Sequence, residues 1–174
     1  RYMVYGKSMV GNNRCNFKGV ITITNIRKLK TTSYGVDNEY KSKSVIGQYI
    51  IMGDYILTED INQPYAGVFS GVFTTCFYLT KDNQIHYDDI ESDADGYSNN
   101  EFVGSWTDKT KGTIKTCNWA DYRIPNSGDL DHGAGEFSPN NNYLSFGWQT
   151  VRDAYSNGAK AISAKKEEER LWWK

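Results

Sequence analysis

The fold of this chain is decided by the stretch Gly67-Val68-Phe69-Ser70-Gly71-Val72-Phe73-Thr74-Thr75-Cys76-Phe77-Tyr78-Leu79. Read with a period of two, it places three phenylalanines on one face and mostly small or hydroxylated side chains on the other. This alternation predicts a strand whose aromatic face meets the core. Gly71 in its middle predicts a bulge, a sharp bend or the close approach of another backbone. A barrel or a strongly coiled sheet would use such a bend.

Segments on both sides of this stretch continue the alternation. Strands are predicted at residues 1–10, 17–29, 45–58, 84–90, 102–106 and 113–119. Turn residues separate most of them, as expected for antiparallel neighbours, whereas residues 30–44 have no sustained period and predict a mobile loop. The predicted fold class is therefore mainly β, an antiparallel barrel or strongly coiled sheet.

The C-terminal part of the chain has a different period. Trp148, Val151 and Tyr155 follow one another at helical spacing, and Asn157-Gly158 supplies a stop. A second helix is predicted to run from Ala159 toward residue 172, with its alanines and Ile162 facing inward. The region of about 146–172 is thus predicted to form one or two helices that pack on the sheet.

Length and composition predict one domain over residues 1–174. The 174 residues are 39% apolar and 14% aromatic, enough to bury a core without disulfide staples. No apolar run is long enough to span a bilayer, which predicts a soluble chain with no membrane span. The chain begins at Arg1, so a secreted or periplasmic location stays open if an export signal was removed. Three widely spaced cysteines predict reduced thiols, with one bridge plus a spare thiol as the alternative: Cys15, Cys76 and Cys117.

The net charge of −1 hides an asymmetry along the chain. Residues 1–50 hold nine Lys and Arg against two acids, whereas residues 51–140 hold five against fifteen. A basic first third would suit an anionic partner. However, strands from distant segments interleave in a sheet, so segment charge need not become surface charge. We therefore predict no nucleic-acid partner.

The loop-rich stretch after Trp119 holds the best candidates for catalysis: Asp129, Asp131, His132 and Glu136. Alternate spacing would place the two aspartates on one side of an extended segment, where they could form an acid and base pair. The pattern of a calcium-binding loop is incomplete here, and the common hydrolase, zinc and nucleotide-binding signatures are absent. We predict no metal and no cofactor. The alternative is a loop in which aspartate side chains accept hydrogen bonds from backbone N–H groups.

The other candidate site is aromatic. A curved sheet would turn several strand aromatics inward, where they either fill the interior or border a space for one ligand. The predicted ligand-binding residues are Tyr49, Tyr55, Phe73, Trp106, Trp119 and Arg123. The mouth of this space is predicted to lie between the loops at 30–44 and 121–142.

Two fragments resemble motifs of the lipocalins. Gly104-Ser105-Trp106 has their G-x-W form, and Gly53-Asp54-Tyr55 is similar to their T-D-Y form. The two occur in the reverse of the lipocalin order, so the resemblance is one of architecture and carries no residue roles. An all-β chain with bent strands and a C-terminal helix resembles the wider calycin superfamily over residues 1 to about 120. That resemblance implies a barrel.

These patterns favour a non-catalytic binding or interaction protein that takes a small apolar or aromatic ligand at a barrel mouth. Burial of apolar surface would supply the affinity, and Asp129, Asp131 or Arg123 would orient the ligand. The first alternative is an enzyme of hydrolase or isomerase type that uses the acidic and histidine loop at 129–136. The second is a surface that binds a carbohydrate or a protein. The oligomeric state is not predicted.

Overall fold

A computed structural model describes all 174 residues. The eight strands are β1 (Tyr2–Val10), β2 (Asn13–Lys28), β3 (Val45–Glu59), β4 (Gly67–Thr80), β5 (Ile85–Tyr87), β6 (Ser98–Asp108), β7 (Ile114–Thr116) and β8 (Trp119–Tyr122). The two α-helices are α1 (Gln149–Ala154) and α2 (Ala159–Glu168), and three 3-10 helices occupy Glu39–Lys43, Gly128–Leu130 and Asn141–Phe146. The mainly β fold class with C-terminal helices is confirmed.

All strands belong to one antiparallel sheet. Its order is β1-β2-β3-β4-β6-β7. The short β5 pairs with the last part of β4, beyond the residues that pair with β6, and β8 pairs with the first half of β6. The sheet curls into a half-barrel and leaves β1 and β7 as edges that face each other without pairing. We call this open gap the seam.

The two ends of the half-barrel differ. At one end, the seam end, lie the short β1–β2 turn, the β3–β4 connection and the β6–β7 hairpin. At the other, the loop end, lie the connections at residues 29–44, 81–97 and 123–140. None of the helices is both long and apolar enough to cross a membrane.

The concave face of the sheet carries the aromatic core. Tyr55, Leu57 and Ile21 are buried there, and Phe69 and Phe73 of β4 pack against them as the alternation predicts. The predicted role of the aromatic face of β4 is therefore confirmed. Burial of these rings supplies the main favourable free energy of the half-barrel.

Gly71 marks the close approach of another backbone, one of its three predicted roles. It pairs with Tyr55 of β3 on one side and with Gly104 of β6 on the other. A Cβ atom at Gly71 would lie 2.6 Å from the Cα of Gly104, closer than packed side chains allow. Because both positions lack a side chain, the Tyr55 hydroxyl can reach over Gly104.

The loop at 30–44 is folded onto the sheet. Tyr40 is 8% exposed and packs with Val45, Tyr78 and Ile90 into a second small core at the loop end. The stretch predicted as a mobile loop therefore contains a short 3-10 helix, and the inward side chain of Tyr40 anchors it to the sheet. A single buried residue produces no periodic pattern, so this anchor could not be predicted from the sequence.

The C-terminal helices pack chiefly on each other, through Ala154, Ala161 and Ala164. Tyr155 is 68% exposed and Ile162 is 72% exposed. The predictions that Tyr155 packs on the sheet and that Ile162 faces inward are therefore wrong. Alanines let two short helices approach closely, which leaves the larger side chains outside. Trp148 packs on Phe137 of the preceding loop, with ring centroids 5.2 Å apart.

Candidate functional site

The carboxylate of Asp131 is fully engaged within its own loop. One oxygen accepts hydrogen bonds from the backbone N–H groups of Gly133 (2.8 Å) and Ser138 (3.0 Å). The other lies 2.6 Å from Nε of Arg123, and the Asp131 side chain is only 3% exposed. Arg123 also donates to the carbonyl oxygens of Gly133 and Gly135. Together these contacts hold the loop closed.

The other three residues predicted for catalysis have separate partners. Asp129 accepts a hydrogen bond of 2.6 Å from the Tyr143 hydroxyl, and Nε2 of His132 lies 2.9 Å from the Asn140 side-chain amide. Glu136 is exposed. No three His, Cys, Asp or Glu side chains in the chain come together in a way that could hold a metal ion. The contacts of this stretch are those of a hydrogen-bonded loop.

Asp131→Asn is expected to open this loop without unfolding the sheet. The amide cannot balance the charge of Arg123, and it offers one acceptor where the carboxylate offers two. We expect faster hydrogen exchange at the amides of Gly133 and Ser138 and faster proteolysis within 128–138. Glu136→Gln, an exposed change in the same loop, is the control. Equal exchange in all three proteins would show that the Asp131 contacts do not hold the loop.

The predicted ligand-binding aromatics divide into separate groups. Tyr55, Phe73 and Trp119 pack with Phe102, and Trp119 stacks on Phe102 at 4.6 Å and 10°. Tyr49 stacks on Phe77 farther toward the loop end, at 5.0 Å. In the middle of the half-barrel these rings therefore pack on one another.

Trp106 alone of that set borders a sizeable cavity. The cavity has a volume of about 630 Å³ and lies at the seam end, opposite to the predicted mouth between the loops at 30–44 and 121–142. Ser8 and Val10 of β1 line one side, and the chain from Thr113 to Cys117 lines the other. Phe69, Trp106 and Glu59 lie between them. We call this cavity the seam cleft.

Glu59 is the unusual group in the seam cleft. It is 4% exposed, and its Oε2 accepts hydrogen bonds from the backbone N–H of Gly67 (2.7 Å) and from Nε1 of Trp106 (2.9 Å). Its Oε1 accepts a hydrogen bond from the Ser8 hydroxyl. This one carboxylate, at the end of β3, therefore connects β1, β4 and β6 and holds the curl of the sheet at the seam end.

The alternation of β3 contains a signal for the inward position of Glu59. Glu59 has the same parity as Tyr55 and Leu57, so one more step of the alternation places it on the concave face. The prediction ended the strand at residue 58 because an acidic residue followed by Asp60 is typical of a turn. A carboxylate on a core face normally requires partners, and here they come from three other strands.

The thiol of Cys117 borders the seam cleft, and all three cysteines are free. Burial raises the pKa of the Cys117 thiol above its ordinary value, and the charge of Glu59 raises it further. The thiol is therefore neutral at physiological pH. It forms part of the apolar wall and is not an activated nucleophile.

A second buried carboxylate, Asp88, lies at the loop end. It accepts a hydrogen bond of 2.9 Å from the Gln48 side chain, and its backbone carbonyl accepts one from Asn99. Burial raises its pKa, and hydrogen bonds from Gln48 and Ile90 partly offset that effect. Because Asp88 is hydrogen-bonded to buried side chains and lines neither the seam cleft nor the smaller cavity beside Tyr78 and His86, we assign it to the framework of the fold.

The fold and this cleft define a class: a curled antiparallel half-barrel with an aromatic interior and a cleft between its open edges. Comparison of the chain with models of protein families, with curated proteins and with solved structures found no match. The seam cleft is therefore the feature of the protein that bears on function.

Proposed function

We propose that the protein is a non-catalytic binding protein that takes a small ligand with an apolar or aromatic part in the seam cleft. The observation that carries this proposal is the cleft itself, about 630 Å³ with Phe69 and Trp106 between the two unpaired edges of the half-barrel. Pockets for small ligands in proteins usually have volumes of about 300–1,000 Å³ and mostly apolar walls.

The cleft supplies both parts of small-molecule recognition. Apolar contact with the two aromatic rings would contribute about 25 cal/mol for each Å² removed from water. Polar groups at Glu59, Lys111 and Lys115 would orient the ligand. This role replaces the one first expected for Asp129, Asp131 and Arg123, whose polar groups are used within their own loop.

As part of this proposal, we infer that the half-barrel is similar in architecture to the calycin superfamily. It is supported by a curled antiparallel sheet in which sequence neighbours pair, and by an interior lined with aromatic rings. A closed barrel would need β1 and β7 to pair, and these strands remain apart. Ligand entry through the seam, rather than through a mouth at one end, follows from this difference.

A fluorescent probe tests the proposal. N-phenyl-1-naphthylamine, a fluorescent probe that is uncharged at neutral pH, has aromatic rings that can pack on Phe69 and Trp106. We expect saturable binding that Thr113→Trp weakens about tenfold by filling the cleft. Thr110→Trp, a matched change at an exposed position of the same hairpin that does not line the cleft, should leave binding unchanged. Absence of saturable binding, or equal binding by both folded variants, would overturn the proposal.

A further inference from the structure

The charge of Glu59 has no cationic partner in the protein. The ion pairs of the chain are Arg123–Asp131, Lys160–Asp153 and Arg170–Glu167. All three donors to Glu59 are neutral: a hydroxyl, a backbone amide and an indole N–H. A carboxylate removed from water loses several kcal/mol of hydration unless charge or hydrogen bonds replace it, and here only hydrogen bonds do so.

The carboxylate has room for one more donor, and the seam cleft adjoins it. Two carboxylate oxygens offer about four acceptor positions, of which three are occupied. Glu59 is itself one of the residues that line the cleft. A hydrogen-bond donor of a ligand could therefore occupy the fourth acceptor position of the Glu59 carboxylate without displacing a protein contact.

The aromatic rings beside Glu59 suit a positive charge. Phe69 and Trp106 line the same cavity, and an ammonium group over an aromatic face is attracted by the negative charge density of the ring. The lysines of the cleft are associated with a different acid. Backbone hydrogen bonds from Lys111 and Thr110 lower the pKa of Asp108, and the charges of Lys111 and Lys115 lower it further. They leave the charge of Glu59 unpaired.

We propose that the ligand of the seam cleft is an organic amine, whose ammonium group donates to Glu59 while its apolar part lies against Trp106 and Phe69. This inference rests on the proposed function, because it names the class of ligand for the same cleft. It makes Glu59 the residue that selects the ligand by charge.

Three probes of nearly the same size and shape test this inference: phenethylamine, phenethyl alcohol and phenylacetate. Because an ammonium group adds charge attraction to its hydrogen bond with the Glu59 carboxylate and a hydroxyl does not, we expect the amine to bind about tenfold more tightly than the alcohol. Phenylacetate should bind most weakly of the three. Equal affinity of amine and alcohol, or tightest binding of phenylacetate, would overturn the inference.

A matched pair of variants locates the effect. Glu59→Gln should abolish the preference for amine over alcohol, whereas Asp60→Asn, which removes the neighbouring exposed charge, should retain it. Retention of the preference in a folded Glu59→Gln protein would contradict the inference.

A measurement on the unchanged protein covers the case in which Glu59→Gln fails to fold. The indole N–H of Trp106 donates to Glu59, so its NMR resonance should shift on addition of amine more than the other indole resonances. If the amine binds and this resonance does not move, the inference fails. If the uncharged probe N-phenyl-1-naphthylamine shows no saturable binding, the proposed function itself fails, whichever of the three smaller probes binds.

Discussion

Tyr55→Ala is expected to lower the free energy of unfolding by about 3–5 kcal/mol, the cost of removing a large aromatic side chain from a core. Tyr55 is 1% exposed, and its ring contacts Phe102 at 5.1 Å and Trp119 at 5.5 Å between centroids. Neither ring can move into the vacated space without losing its stacking on the other. Urea unfolding followed by circular dichroism would measure the loss.

Tyr55→Phe is the matched control, because it keeps the ring and removes only the hydroxyl. That hydroxyl is buried without a hydrogen-bond partner, an arrangement that costs about 1–3 kcal/mol. The phenylalanine variant should therefore be at least as stable as the unchanged protein. A loss comparable to that of Tyr55→Ala would show that the hydroxyl has a partner in solution.

The unchanged protein and Tyr55→Phe are also expected to differ in stability in alkaline solution. Burial raises the pKa of Tyr55 from its ordinary value of 10.0 to about 12. A group whose pKa is raised by folding contributes stability that is present below its unfolded pKa and is lost as pH rises through the folded value. Between pH 10 and pH 12 the unchanged protein should therefore lose stability relative to Tyr55→Phe. Parallel curves over this range would contradict the assigned burial.

The strands with one aromatic face were predictable because alternation is a local property of the chain. Residues 98–100 show where this reasoning fails. The alternation predicts a strand that starts at residue 102, yet β6 begins at Ser98 and Asn99 is 2% exposed. The Asn99 side chain bonds the backbone N–H and carbonyl of Cys76, so it replaces a backbone neighbour in the sheet. Composition cannot distinguish such an asparagine from one in a turn.

The candidate site was less predictable because its parts meet only in the folded chain. Ser8, Glu59 and Trp106 are far apart in sequence, and the seam between β1 and β7 depends on how far the whole sheet curls. By contrast, Asp129, Asp131 and His132 were predicted for catalysis because they are close together in the sequence. Their local contacts then proved to hold a loop.

Gly71→Ala is expected to destabilise the protein by about 3 kcal/mol, at the upper end of the usual cost of overpacking. Its Cβ atom would overlap the carbonyl oxygen of Val103 and lie 2.6 Å from the Cα of Gly104. Both contacts are with backbone atoms, which can yield only if β4 and β6 separate. Such a separation would weaken the pairing that positions Trp106 beside Glu59.

Two further variants, Gly104→Ala and Val72→Ala, are matched comparisons for Gly71→Ala. Gly104→Ala should cost about as much, because its Cβ atom would overlap the carbonyl oxygen of Ser70 and meet the Tyr55 hydroxyl at 2.5 Å. Val72→Ala, next to Gly71 but 50% exposed on the convex face, should cost about 1 kcal/mol or less. Urea unfolding of the three variants would test this order. An equally small loss of unfolding free energy in Gly71→Ala and Val72→Ala would contradict the close approach of β4 and β6 at Gly71 and Gly104. It would also contradict the position of the Tyr55 hydroxyl over Gly104.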